Sequence, residues 1–188
     1  MDKNIEEIYT LSPMQQGMLF HTLLAEGSGA EGSGAEGSGA GGSGPSGSAS
    51  SESGVYVEQT SATLAGELNS AAFGQAWQRV LDRHPVLRPS FIWQGVAEPV
   101  QVVHRKLELP FRVLDWRSWG PEEQREQLAL LRRAERRGFD LNVAPLLRLA
   151  LVRLAEDRWE FIWTHHHLLL DGWSGPILLG EVFAAYEA

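Results

Sequence analysis

Hydrophobic and polar residues follow two different periods along the chain, and together they predict a mixture of strands and helices. The segment 55–68 alternates and is rich in β-branched residues, which is typical of a long strand. In the segment 70–83 the apolar residues recur at helical spacing, directly after residues that suit an N-cap. The same patterns predict strands at 87–93, 99–104, 147–154 and 159–165, and helices at 121–137, at 176–186 and from Ser12 onward, where Ser12 suits the N-cap and Gln15 completes a capping box. Turns at Gly95 and at Glu156-Asp157 predict that 87–93 forms a hairpin with 99–104 and that 147–154 pairs with 159–165. We therefore expect an α/β protein with one mixed sheet covered by helices.

The segment 25–54 interrupts this pattern. Ala-Glu-Gly-Ser-Gly occurs three times in tandem from residue 25, and further serine and glycine follow. Such chains bury little apolar surface and behave as flexible coils. The chain thus divides into an N-terminal segment with the first helix (1–24), a flexible spacer (25–54) and the remainder of the same folded unit (55–188). A natural insertion and an engineered loop replacement both fit the repeat, and its regularity favours the second.

Composition narrows the classes of protein that fit. The 188 residues suffice for one domain-sized core. The net charge of −8 argues against nucleic acid or an anionic membrane as a partner. The chain has no cysteine, which excludes disulfides and thiol chemistry and suits a cytoplasmic protein. Because the N-terminus is polar and no apolar run is long enough to span a bilayer, we expect neither a signal peptide nor a membrane anchor.

The candidate chemistry is concentrated in the segment 163–174. A predicted strand ends there in three consecutive histidines, 165–167, and Asp171-Gly172 predicts a turn before the last helix. Adjacent strand residues point to opposite faces, so one imidazole should face the interior and another an opening. Three interpretations of these residues are open. They are core histidines beside a turn aspartate, a metal site, or a site where one histidine acts in acid–base catalysis. The metal site is disfavoured because the chain has no cysteine and contains no second cluster of histidines or carboxylates at the spacing of metal ligands.

Three motifs in the chain share their order with one family. Residues 12–21 read S-P-M-Q-Q-G-M-L-F-H, residues 83–91 read R-H-P-V-L-R-P-S-F, and residues 166–172 read H-H-L-L-L-D-G. The last resembles the H-H-x-x-x-D-G motif of nonribosomal peptide synthetase condensation domains, which belong to the chloramphenicol acetyltransferase-like superfamily. The other two resemble the first and second core motifs of the same domains, with Pro89 where threonine is more usual. The resemblance covers nearly the whole chain apart from the spacer.

The resemblance implies roles for five residues. His167, the second histidine of the motif, would be the catalytic residue that faces the channel, whereas His166 would be buried and structural. Asp171 would form a buried ion pair with Arg88, a kind of pair whose disruption costs about 3–5 kcal/mol. Gly172 would allow the turn and a close approach of the substrate. His167 would position the acceptor amine, stabilise the tetrahedral intermediate or take up a proton, and the sequence leaves these three roles open.

The implied reaction is peptide bond formation between aminoacyl or peptidyl thioesters. The substrates would arrive on the phosphopantetheine of peptidyl carrier proteins, and the domain itself would bind no metal or nucleotide. A condensation domain has two lobes, and this chain ends soon after the histidine motif, so we expect the N-terminal lobe alone, inactive without its C-terminal lobe. The short segment before Ser12 fits a further partner, the C-terminal tail of an upstream synthetase subunit. The motifs at 12–21 and 166–172 favour the subtype that accepts a D-configured donor.

Two other hypotheses are compatible with the motif. The chain would be either a carrier-protein or subunit-docking module without turnover, or another acyltransferase or epimerisation domain of the superfamily. The matches at 12–21 and 83–91 argue against the second of these. The heterocyclisation subtype is disfavoured because it replaces the histidine pair with aspartate.

Overall fold

Strands and helices alternate along the part of the chain that the computed structural model describes, residues 4–28 and 54–188. The strands are β1 (Ile5–Thr10), β2 (Val57–Ala65), β3 (Pro89–Ile92), β4 (Val100–His104), β5 (Phe111–Asp115), β6 (Leu147–Ala155) and β7 (Arg158–His166). The helices are α1 (Pro13–Ser28), α2 (Ser70–Arg83), α3 (Pro121–Glu135) and α4 (Ser174–Glu187), and a single 3-10 turn spans Pro85–Leu87. The predicted α/β class is confirmed.

The strands form two sheets, where the sequence patterns predict one. The larger sheet has the order β2-β7-β6-β5, in which β5 runs parallel to β6 and the other pairs are antiparallel. The smaller sheet has the order β1-β4-β3 and is antiparallel throughout. Alternation of apolar residues indicates which side chains are buried but not which strands pair, so the pattern does not reveal this division.

Two short strands have no clear signal in the sequence. The residues of β1 look like a mixed-charge lead-in, and those of β5 look like part of a loop region. Both strands lie at the edge of their sheets, where one neighbour supplies the backbone hydrogen bonds. Most of β1 is exposed, so its sequence has no need of an apolar alternation. Pairing with β4 and β6, and not local propensity, accounts for these strands.

The predicted N-cap of α1 is confirmed. The Ser12 backbone N–H donates to Gln15 Oε1 at 3.0 Å, and the Gln15 backbone N–H donates to Ser12 Oγ at 3.3 Å, which together form a capping box. The helix continues to Ser28, four residues into the segment 25–54 that we predict to be a spacer. The rest of that spacer, 29–53, lies outside the described residues.

Both faces of the larger sheet are covered. On one face, α2 and α4 enclose an aromatic core in which Trp77 lies 5.2 Å from Trp163 and Phe73 lies 5.3 Å from Phe161, between ring centroids. On the other face, α3 packs over a smaller cluster that includes Ile162. Burial on both faces explains the apolar run Phe161-Ile162-Trp163 in β7. No helix in the described ranges has the length and apolar character needed to cross a membrane.

The N-cap of α2 is a local feature whose contribution to stability can be measured. Asn69 Oδ1 accepts hydrogen bonds from the backbone N–H groups of Ala71 and Ala72 at 3.1 and 3.0 Å. We expect Asn69→Ala to lower the free energy of unfolding by about 1 kcal/mol, measured by urea denaturation, because these two donors lose their acceptor. Asn69→Asp keeps the acceptor and should retain most of the stability. Equal losses in the two variants would contradict the capping role.

Candidate functional site

His166 lies inside the protein. It is the last residue of β7 and only 1% exposed, and its Nδ1 accepts a hydrogen bond from the Leu168 backbone N–H at 3.1 Å. Burial, followed by the proximity of His167 and His165, lowers the pKa of His166 to about 4. The ring is therefore neutral near pH 7, and because Nδ1 is an acceptor, the hydrogen must be on Nε2. This placement agrees with the buried position that the resemblance implied.

His167 is the first residue beyond the strand, and its side chain is 33% exposed. Its backbone N–H donates to the carbonyl of Tyr56 at 2.8 Å, which extends the β2–β7 pairing by one residue. The ring thus reaches the surface from a position that the sheet holds rigidly. Of the three neighbouring imidazoles, His167 is the one whose side chain is substantially accessible, since those of His165 and His166 are buried.

His165 shares a face of the sheet with Trp163. Its ring stacks on the indole with 4.8 Å between centroids, and the residue is 5% exposed. Burial lowers the pKa of His165, and the negative charge of Glu58 partly opposes this shift. His165 precedes the family motif, and the resemblance gives it no role.

Glu58 is a site residue that no sequence motif marks. It lies on β2 directly opposite His165. Its Oε1 is 3.2 Å from His167 Nδ1 and its Oε2 is 3.4 Å from His165 Nε2. The Glu58 side chain is 47% exposed, so the contacts are partly screened by solvent. The sequence gives no signal for this glutamate, because its position depends on the register between two strands that are far apart along the chain.

Asp171 is exposed and organises the turn before α4. Its Oδ1 accepts from the backbone N–H groups of Trp173 and Ser174 at 3.1 and 2.9 Å, and from Ser174 Oγ at 2.7 Å. The Ser174 hydroxyl and then its backbone N–H lower the pKa of Asp171. The prediction of a turn aspartate holds, but the expected burial does not, because the residue is at the surface.

The ion pair implied between Arg88 and Asp171 does not form in this structure. The Arg88 side chain is 4% exposed, and its Nη1 lies 2.7 Å from Glu6 Oε2. The guanidinium also donates to the backbone carbonyls of Leu81, His104 and Arg105. Because these acceptors surround the buried group and Asp171 is engaged by its own turn, Arg88 joins α2 to β1 and β4 instead.

Gly172 follows Asp171 and has no structural constraint of its own here. Its φ is not in the left-handed region, and an added Cβ would meet no atom within 4 Å. The predicted role of this glycine in allowing the turn is therefore not seen. Its predicted role in admitting a substrate stays a prediction, and the open space around it is compatible with that role.

The first and third sequence motifs meet in space. Gln15, in the first turn of α1, donates from Nε2 to the carbonyl of Leu168 at 3.3 Å. Large apolar side chains are exposed on α1, at Met14 (74%) and Phe20 (60%), and around the N-terminus of α4, at Trp173 (84%) and Ile177 (65%). Among the described residues, no group of three or more histidines or carboxylates could hold a metal ion.

Comparisons with known proteins agree with one another. The family described as "Condensation domain" matches residues 48–188. One of the subunits of linear gramicidin synthase from Brevibacillus parabrevis is 40% identical over 98% of this chain, and bacitracin synthase 3 of Bacillus licheniformis is 36% identical over 97%. This chain spans only 2% of the length of each of these two relatives.

Solved structures show the same fold. The starter condensation domain of rhizomide synthetase RzmA superposes with a TM-score of 0.75 over 97% of this chain and 39% of that one, at 21% identity. The tallysomycin biosynthesis protein TlmII superposes with a TM-score of 0.69, also over 97% of this chain and 39% of that one, at 23% identity.

Proposed function

The chain belongs to the condensation domain family, and from this premise we propose that it carries the catalytic histidine of a peptide-bond-forming site in a nonribosomal peptide synthetase. The observation that carries the proposal is the placement of His167. It stands at the end of a central strand with a third of its side chain exposed, while His166 beside it is buried. A catalytic group needs both this rigidity and this access.

The proposed chemistry is an acyl transfer from sulfur to nitrogen. The acceptor amine attacks the thioester carbonyl of the donor, a C–N bond forms, and the C–S bond breaks as the tetrahedral intermediate collapses. His167 orients the amine and takes its proton, which then leaves with the thiolate of the donor phosphopantetheine. General-base catalysis of this kind contributes about 10²–10⁴-fold to the rate.

The rest of the site would come from partners. Both substrates would arrive on phosphopantetheine, each on its own peptidyl carrier protein, and we propose a D-configured donor, as the motifs at 12–21 and 166–172 indicated. The chain spans 39% of the RzmA starter condensation domain, which supports the interpretation as one lobe of two. We propose that the C-terminal lobe covers the exposed apolar side chains of α1 and α4 and closes the channel over His167. The segment before Ser12 would contact the tail of an upstream synthetase subunit, and the cytoplasm stays the predicted location.

The test is a reconstituted condensation assay. The chain is joined to the C-terminal part of the matching condensation domain from the linear gramicidin synthase of Brevibacillus parabrevis, and two loaded carrier proteins supply donor and acceptor. We expect this chimera to form peptide product, detected by mass spectrometry, and the isolated chain to form none. His167→Ala in the chimera should lower the rate by about 10²–10⁴-fold, because the group that handles the amine proton is lost.

Two controls make the result decisive. His84→Asn removes an imidazole that lies in the second motif, outside the histidine motif 166–172, and contacts Glu181, so it should leave the rate unchanged. Thermal unfolding shows that each variant is folded. A folded chimera that makes product equally well with and without His167 would overturn the catalytic assignment. A folded chimera that binds carrier protein and makes no product would favour the docking-module hypothesis.

A further inference from the structure

Two of the three imidazoles contact the same carboxylate. The antiparallel register of β2 and β7 places Glu58 opposite His165. His167 lies two residues beyond His165, opposite Tyr56, to whose carbonyl its backbone N–H donates. Because side chains alternate along a strand, His165 and His167 point to the same face. One carboxylate oxygen of Glu58 lies 3.2 Å from His167 Nδ1, and the other lies 3.4 Å from His165 Nε2. The two oxygens therefore serve two different rings.

The Nδ1 atom of His167 lies near one potential acceptor of the described residues, Glu58 Oε1. This nitrogen is buried and makes no well-aligned hydrogen bond with those residues. Glu58 Oε1, at 3.2 Å, is close enough that a small rotation of the ring would align the N–H with it. A buried polar atom favours such a partner over none, so the carboxylate biases which nitrogen of the ring carries the hydrogen.

We propose that Glu58 is a positioning residue that holds the hydrogen of His167 on Nδ1 and leaves Nε2 free to accept a proton from the substrate. An ionised carboxylate only accepts hydrogen bonds, so the nitrogen that faces it must carry the hydrogen. A neutral imidazole has one N–H, and the other nitrogen then presents its lone pair. The inference rests on the proposed catalytic role of His167, and Glu58 would act through that ring without touching the substrate.

The contact with His165 can hold the half-exposed Glu58 side chain in a fixed position. The His165 ring is held by stacking on Trp163, and burial lowers its pKa, so it is neutral near pH 7. A neutral His165 with its hydrogen on Nε2 would donate to Glu58 Oε2 and leave Nδ1 as an acceptor. The Nδ1 atom of His165 is buried and has no hydrogen-bond partner among the described residues.

A metal does not account for the same geometry. His165, Glu58 and His167 are not arranged as ligands of one cation, as the part of the chain that the structure describes contains no group of three such residues able to hold a metal. A surface ion pair also fits poorly, because the His165 side chain is 6% exposed and would be charged only at the cost of its burial. Orientation of the accessible ring is the role that the three side chains support together.

The direct test is the tautomer of His167 in the 188-residue chain. With ¹⁵N-labelled histidine, long-range ¹H–¹⁵N correlation spectra at neutral pH distinguish the two ring nitrogens, and the His167 signal is identified by its loss in His167→Asn. We expect the hydrogen on Nδ1 in the parent chain and a shift toward the Nε2-protonated form in Glu58→Ala. Glu126→Gln, an exposed substitution on α3, should leave the spectrum unchanged. An unchanged tautomer in Glu58→Ala would overturn the proposal.

The kinetic consequence is measured in the chimera described above. We expect Glu58→Ala to lower kcat by about 10–100-fold with little change in KM, and Glu58→Asp to recover part of the rate, since misorienting a catalytic histidine costs turnover more than binding. Activity that is lost in His167→Ala but kept in Glu58→Ala would refute the role of Glu58 and leave the proposed function intact. Activity kept in His167→Ala would refute the proposed function, whereas the tautomer result would stand on its own.

Discussion

Replacing Arg88 by methionine is expected to lower the free energy of unfolding by about 3–5 kcal/mol, because a buried charge network loses its donor. The guanidinium is almost fully enclosed, pairs with Glu6 and donates to three backbone carbonyls. Methionine fills much of the same volume but donates nothing, so the carbonyls stay buried without partners. Urea denaturation with the slope checked for two-state behaviour gives the loss directly.

A double-mutant cycle identifies the true partner of Arg88. The Glu6 side chain is 34% exposed, so Glu6→Gln alone should cost less than Arg88→Met. If the observed pair is correct, the losses from Arg88→Met and Glu6→Gln should fall well short of additive, whereas those from Arg88→Met and Asp171→Asn should add within about 0.5 kcal/mol. Coupling of Arg88 to Asp171 and not to Glu6 would restore the pair that the sequence resemblance implied.

Acidification from pH 7 to pH 4 is expected to cost about 3 kcal/mol of stability through His166 alone. The pKa of His166 is about 4 in the folded chain, against 6.5 as its ordinary value. Between these values the unfolded chain binds a proton that the folded chain does not, so the free energy of unfolding rises with pH across this window. The loss on acidification therefore begins near pH 6.5 and continues to about pH 4.

Comparison with His166→Asn separates this contribution from that of other groups. Asparagine Oδ1 can replace Nδ1 as the acceptor for the Leu168 N–H, but it does not titrate. The variant should therefore show a shallower dependence of stability on pH between 6.5 and about 4, although its stability at pH 7 is lower. His21→Asn, on the exposed surface of α1, should keep the slope of the parent chain. Equal slopes for His166→Asn and the parent would show that His166 protonates freely in the folded state.

Local sequence is sufficient for the elements whose signals are local. The capping box at Ser12 and Gln15 and the N-cap at Asn69 are evident from the sequence because each hydrogen bond closes within three residues. The strand pair β6–β7 and the hairpin β3–β4 are evident because short connections join strands with clear apolar patterns. The family is likewise evident from three short motifs in a fixed order.

Contacts between distant segments cannot be predicted from local sequence. Arg88 and Glu6 are paired across the smaller sheet, and Glu58 reaches His165 and His167 through the register of β2 on β7. The resemblance implied a distant cation for Asp171, and instead its own turn satisfies the carboxylate. Each of these outcomes depends on which strands become neighbours.

The sequence alone determined the α/β class, most helices and strands, the family and the histidine motif, because periodicity, caps and motifs are properties of contiguous residues. The tertiary structure decided the division into two sheets, the partner of Arg88 and the carboxylate beside His167. The physical reason is that a strand presents unpaired backbone groups along both edges and so accepts many neighbours. Only the packing of the whole chain selects one of them, and that choice brings the charged side chains together.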